Sequence, residues 1–206
     1  MSAEAPRRLV LLRHGRTPWN HELRVQGQAD VELDDTGHQQ AAAVAPVLVA
    51  AYSPRVLWSS DLARARQTAA YVAKESGLEP TYDPRLREFF LGERQGLTHD
   101  EYAALAPEEF AAFRAGDLSV AAGGETSAQV SGRLSEALRE LLDRIEPGET
   151  AVAVAHGAAI RLVTLALLGL PDAALPAFRA IGNCRWVDLE SHSGTMRLAG
   201  YNLGPA

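Results

Sequence analysis

The sequence predicts an α/β protein, a three-layer α/β/α sandwich built on a mostly parallel sheet. Three observations carry this. The apolar runs Leu9–Leu12, Arg55–Trp58 and Thr150–Ala155 read as buried strands. Each leads into a stretch with helical signals, giving a βαβα order. Near the end, Cys184–Leu189 turns at Ser193-Gly194 into Thr195–Tyr201, the pattern of an antiparallel hairpin at the sheet edge.

After the first strand, Thr17 to Asp35 is polar and aperiodic and reads as a loop. Thr36-Gly37-His38-Gln39 has capping-box form and opens an alanine-rich helix that Pro46 should kink or split. Ser59-Ser60-Asp61 is expected to cap a helix ending near Gly77, with Arg64 in its first turn. The span 79–124 is less regular and reads as a small helical insert: Thr98 caps one helix, and Pro107 starts another that stops at Gly116. Thr126 caps a long helix with the apolar stripe Val130, Leu134, Leu138, Leu141 and Ile145, closed by Pro147-Gly148. The strand ending at His156 leads into a helix to Gly169.

A chain of 206 residues fits one domain, 1–206, and its 47% hydrophobic and 22% charged residues are those of an ordinary soluble protein. Met1 to Arg8 is short and polar, unlike a signal peptide, and no window is long enough to span a bilayer. The lone Cys184 offers no internal disulfide, so a cytoplasmic protein is expected. A net charge of −6 argues against nucleic-acid binding. Lys74 is the only lysine, which excludes a P-loop, and neither G-x-G-x-x-G nor H-E-x-x-H occurs.

The chemistry concentrates where strands end. Leu12-Arg13-His14-Gly15-Arg16-Thr17 delivers a histidine between two arginines at the carboxyl end of the first strand, where ligands bind in open α/β sheets. Gly15 is expected to let an anion approach the backbone. A nitrogen nucleophile with cations beside it suits attack on phosphorus. A second apolar run also ends in His-Gly, at His156-Gly157. A zinc site through the two histidines is conceivable, but no carboxylate or cysteine ligand accompanies either in sequence, so none is expected.

Five ordered motifs then resemble the histidine phosphatase (phosphoglycerate mutase-like) superfamily: Leu12–Thr17, Ser59–Thr68, Leu86-Arg87-Glu88, Gly123-Gly124-Glu125-Thr126 and Val154–Gly157. The resemblance implies the phosphoglycerate mutase-like fold and a metal-independent phosphatase without cofactor. It makes His14 the nucleophile and Glu88 the proton donor, with Arg13, Arg64 and His156 holding the phosphoryl group. Asn20, Gln26, Gly27 and Gly157 would join the phosphate or substrate site. The expected partner is a small phosphorylated metabolite, a sugar or glycerate derivative, with no nucleic acid and no membrane; family analogy alone suggests a homodimer. Glu88 otherwise reads as an ion-pair partner of Arg85 or Arg87. His21, His38, His99 and His192 read as loop or surface residues, and Trp19, Trp58 and Trp186 as packing. Arg94 stands where many members have Trp. The short insert and tail resemble the phosphatase branch, and Gln26-Gly27-Gln28, Leu97-Thr98-His99 and the segment from Leu170-Pro171 to Gly182-Asn183 and Trp186 resemble actinobacterial glucosyl-3-phosphoglycerate phosphatases. The alternatives are a 2,3-bisphosphoglycerate-dependent mutase and a phosphate-binding module on the same scaffold.

Overall fold

The computed structural model describes residues 5–205; the Met1–Glu4 part of the polar start read above lies outside them. Six strands form one sheet: β1 (Arg7–Arg13), β2 (Val56–Ser59), β3 (Thr81–Tyr82), β4 (Thr150–Ala155), β5 (Trp186–His192) and β6 (Thr195–Leu203), in the order β3-β2-β4-β1-β5-β6. β1, β4, β2 and β3 run parallel, while β5 and β6 close one side antiparallel, as the tail pattern predicts.

Alternation along β1 explains the three layers, because successive strand side chains point to opposite faces. Leu9 and Leu11 pack with α6 (Ser127–Leu142) and α7 (Gly157–Leu167) on one face. Val10 and Leu12 pack on the other with α2 (Asp35–Tyr52) and α3 (Ala63–Ser76). The predicted stripe Val130, Leu134, Leu138, Leu141 and Ile145 is buried throughout, although α6 itself ends at Leu142. Three α-helices remain among the described residues: α1 (Pro18–His21) in the expected loop, and α4 (His99–Leu105) and α5 (Pro107–Ala115) in the 79–124 span. Among the described residues, no helix is long and apolar enough to cross a membrane.

The helix starts correct the sequence reading twice. α2 is capped by Asp34, whose Oδ1 accepts from Gly37 N at 2.7 Å, and not by Thr36, whose hydroxyl accepts from Arg16 at 2.8 Å. Ser59, Ser60 and Asp61 do not cap α3, because each is engaged elsewhere. Ser59 donates to Ser60 O, Ser60 meets His156, and Asp61 binds Arg87. Asp30, distant in sequence, accepts from Ala63 N at 2.7 Å instead. Pro46 leaves α2 as one helix. It lies on the exposed side with Ala42, so the carbonyl it fails to bond meets water.

Replacing Asp34 with Ala should lower the unfolding free energy by about 1 kcal/mol in urea titrations, the usual worth of a side-chain N-cap. Thr36→Ala should cost less. The reverse order would place the cap at Thr36.

Candidate active site

The parallel register pairs Arg13 with Ala155 and Ser59 with Val154, so three chain segments leave the sheet side by side. The next residues are His14, His156 and Ser60. The two imidazoles are 3% and 0% exposed, and their centroids lie 5.2 Å apart at 57°. His14 Nδ1 is 2.7 Å from the carbonyl of Gly15. A carbonyl can only accept, so Nδ1 carries the proton and Nε2 keeps its lone pair. His156 has the opposite tautomer. Its Nδ1 accepts from Arg64 Nε at 3.2 Å, and its Nε2 donates to Ser60 Oγ at 2.8 Å.

Arg64 is 1% exposed, and its fork donates to Gly27 O and Ala29 O, both at 2.7 Å. Burial pushes its pKa down to about 10, still charged at neutral pH. Arg13 donates to Ile181 O at 2.6 Å, and its Nε is buried without a partner. Burial first, then Arg64 and Arg13, hold His14 well below the ordinary histidine pKa; burial and Arg64 do the same to His156. Arg16, which flanks His14 in the motif, is not the second cation beside it; that cation is Arg64, as the resemblance implies. Arg16 turns away to Asp34, at 2.8 Å. Gly15 serves differently from expectation: a Cβ there would lie 2.5 Å from Gly37 O, so its bareness admits another backbone, not an anion.

Glu88 binds neither Arg85 nor Arg87. Arg85 goes to Asp83, Glu136 and Glu140, and Arg87 to Asp61. The Glu88 carboxylate instead sits on the start of α7, accepting from Ala159 N (2.9 Å) and Phe89 N (3.0 Å) at Oε1 and from Ala158 N (3.0 Å) at Oε2. Arg133 of α6 holds the irregular backbone that carries Glu88, donating to the carbonyls of Arg85 (2.9 Å), Arg87 (2.6 Å) and Glu88 (2.8 Å). Glu125 binds Arg133 at 2.8 Å and also accepts from Phe90 N and from Gln28.

A cavity of about 630 Å³ brings together His14, Arg13, Arg64, Glu88, Asn20, Gln26, Gly27 and Gly157. His156 lies immediately behind, against Arg64. Asn20 closes the capping box of α1 with Thr17. Gln26 Oε1 is buried without a partner. Gly27 lends its carbonyl to Arg64. A Cβ on Gly157 would lie 3.1 Å from Arg13 Nε. His99 is half-buried against Phe110 and Phe113 and lines the cavity, so it is not the plain surface residue expected. Arg94 pairs with Glu109 at 2.7 Å, outside the cavity lining. The sequence does not single out Ser60, Gln28, Arg133 or Arg161 as site residues. The Gly-Gly-Glu motif pointed at Glu125, but nothing on the polar side of α6 marked Arg133.

The two neutral imidazoles give a pH test. Between the unfolded value near 6.5 and the lower folded values, the unfolded chain binds more protons, so stability rises with pH. This contribution is complete above 6.5 and is lost as pH falls through the folded pKa values. Thermal unfolding should therefore occur at lower temperature at about pH 5.5 than at about pH 7, each histidine adding a slope of up to about 1.4 kcal/mol per pH unit. Imidazole ¹⁵N shifts at about pH 6 should show both rings neutral; protonated rings would contradict the assignment.

The family model described as the histidine phosphatase superfamily (branch 1) matches residues 9–204. A glucosyl-3-phosphoglycerate phosphatase of Mycobacterium tuberculosis is 42% identical over 193 residues, 90% of this chain and 86% of that one. A metal-independent phosphoserine phosphatase of Arabidopsis thaliana is 36% identical over 160 residues, 76% of this chain and 67% of that one. The solved structure of mycobacterial glucosyl-3-phosphoglycerate phosphatase with VO3 superposes at a TM-score of 0.90 and 41% identity, covering 96% of this chain and 100% of that one. By sequence along nearly its whole length and by the fold that sets both histidines at the sheet edge, this chain belongs to the histidine phosphatase superfamily, branch 1.

Proposed function

We propose that this chain hydrolyses small phosphomonoesters, sugar or glycerate derivatives, without a metal, through a phosphohistidine on His14. The observation that carries the reading is a buried, neutral His14 whose Nε2 lone pair is left free beside Arg13, Arg64 and Glu88 in one cavity. The phosphatase names of the relatives support it. Nε2 attacks phosphorus and the bond to the leaving oxygen breaks. Arg13 and Arg64 balance charge on the phosphoryl oxygens. His156, whose two ring nitrogens are taken by Arg64 and Ser60, does not reach the phosphoryl group as the resemblance implies but holds Arg64 from behind. Glu88 gives its proton to the leaving alkoxide. The carboxylate then takes a proton from water as the water oxygen attacks phosphorus and the N–P bond breaks, which releases phosphate and restores His14.

The hydrogen bonds select the working oxygen of Glu88. A carboxylate has about four acceptor positions. Oε1 already accepts twice and Oε2 once, so the open position, and hence the travelling proton, belongs to Oε2. The same reading puts the enzyme in the cytoplasm, which the single, buried Cys184 supports.

Turnover of ³²P-labelled substrate, quenched in base, should leave label on the peptide holding His14, and activity should survive EDTA. Label on His156, or full activity in His14→Ala, would overturn the assignment. Glu88→Gln should cut hydrolysis of alkyl phosphates by about 10²–10⁴-fold, and phosphoenzyme formation from p-nitrophenyl phosphate much less. Arg133→Met should give a weaker copy of that pattern, since it frees the backbone that aims Glu88. Equal losses on both substrates would make Glu88 a structural residue only.

A further inference from the structure

Resting on the phosphatase reading, we propose that the outer part of the same cavity, centred on Arg161, is a second anion subsite. It selects phosphomonoesters whose leaving group carries a negative charge of its own. The charge distribution is lopsided. The chain has nineteen arginines and a net charge of −6, yet six of those arginines line this one cavity, and Glu88 is the only acidic residue among its lining.

Arg13 and Arg64 stand beside His14 and serve the phosphoryl group being transferred. Arg24 is balanced by Glu22 at 3.2 Å and Glu101 at 3.8 Å. Arg114, Arg161 and Arg179 form no ion pair among the described residues. Three cations therefore face the cavity uncompensated, more than one phosphoryl group needs.

Arg161 is the best placed of the three. It follows Gly157 by four residues on α7, so it lies on the same face about 6 Å further along the axis. One end of its fork is fixed by Leu175 O at 3.1 Å and Phe178 O at 2.7 Å, and its Nε is buried with no partner. A fixed guanidinium with unspent donors suits a carboxylate or a phosphoryl group. The spacing from Gly157, which touches Arg13, matches a leaving group with a short carbon skeleton between its two anionic ends. The cavity volume of about 630 Å³ accommodates such a molecule, with Phe113 and Phe178 along its carbon part.

Two matched pairs test the subsite. 3-Phosphoglycerate and glycerol 3-phosphate differ by a carboxylate; glucose 1,6-bisphosphate and glucose 6-phosphate differ by a phosphoryl group. In at least one pair, kcat/KM for the doubly anionic member should be tenfold or more the higher. Whichever pair shows it identifies the anion. Arg161→Met should reduce that ratio at least tenfold, mainly through KM. Should it fold poorly, Arg114→Ala with Arg179→Ala, both exposed sites, should reduce the ratio in the same direction. Equal use of both members in both pairs, or a ratio that survives in every folded variant, would overturn the subsite. Failure of the wild type to release phosphate from p-nitrophenyl phosphate and from every member of both pairs would overturn the phosphatase reading instead. Calorimetric Kd values for the same pairs, judged by the same tenfold criterion, would then decide the subsite without turnover.

Discussion

A guanidinium can be fixed by carboxylates or by carbonyl dipoles, and this chain uses the two for different ends. Arg85, Arg87 and Arg94, which stabilise loops, bind Asp83, Asp61 and Glu109. Around the cavity, Arg64 donates to Gly27 O and Ala29 O, Arg13 to Ile181 O, and Arg161 to Leu175 O and Phe178 O. A carbonyl orients a cation without cancelling it. The charge stays available to a phosphoryl group, and it adds to burial, the larger cause, in keeping both histidines unprotonated. Carboxylates in those positions would favour imidazolium, which has no lone pair to offer phosphorus. The single acid present, Glu88, is engaged by the amides of α7 instead.

That arrangement has an architectural cost. Carbonyl partners come from irregular backbone, so the loops around 26–29 and 172–181 become parts of the site rather than connections between helices. Their shape is fixed by the side chains they hold: the cavity wall and the arginines position each other. The sheet supplies the rigid reference, since β1, β4 and β2 in parallel register determine where His14, His156 and Ser60 emerge.

What was legible in the sequence follows from this division. Buried parallel strands are short apolar runs bounded by polar residues, and Leu9–Leu12 and Thr150–Ala155 could be read directly, as could the residues that end them. Periodicity showed the buried face of α6. Caps were readable where the capping acceptor is local, as at Thr98 and Thr126, and misleading where tertiary partners compete. Ser60 belongs to His156, and Asp30 reaches α3 from a distant loop. Glu88 emerged only through its motif, because its partners are backbone amides, which carry no residue signature. Arg133 and Arg161 were invisible for the same reason: both act on carbonyls, and their positions on α6 and α7 look like solvated helix surface.

Gly15 illustrates how such a backbone contact would register in a saturation-mutagenesis screen. A Cβ at Gly15 would sit 2.5 Å from Gly37 O, and one at Gly37 2.0 Å from Arg16 O, so the two bare backbones interlock directly behind the nucleophile. Such a screen would score Gly15 as intolerant as His14. Sorting the same library for soluble expression would separate them, since a bulkier residue at Gly15 removes the folded molecule while a changed His14 removes only its chemistry. Intolerance to substitution beside a nucleophile is thus a measure of packing until abundance has been divided out.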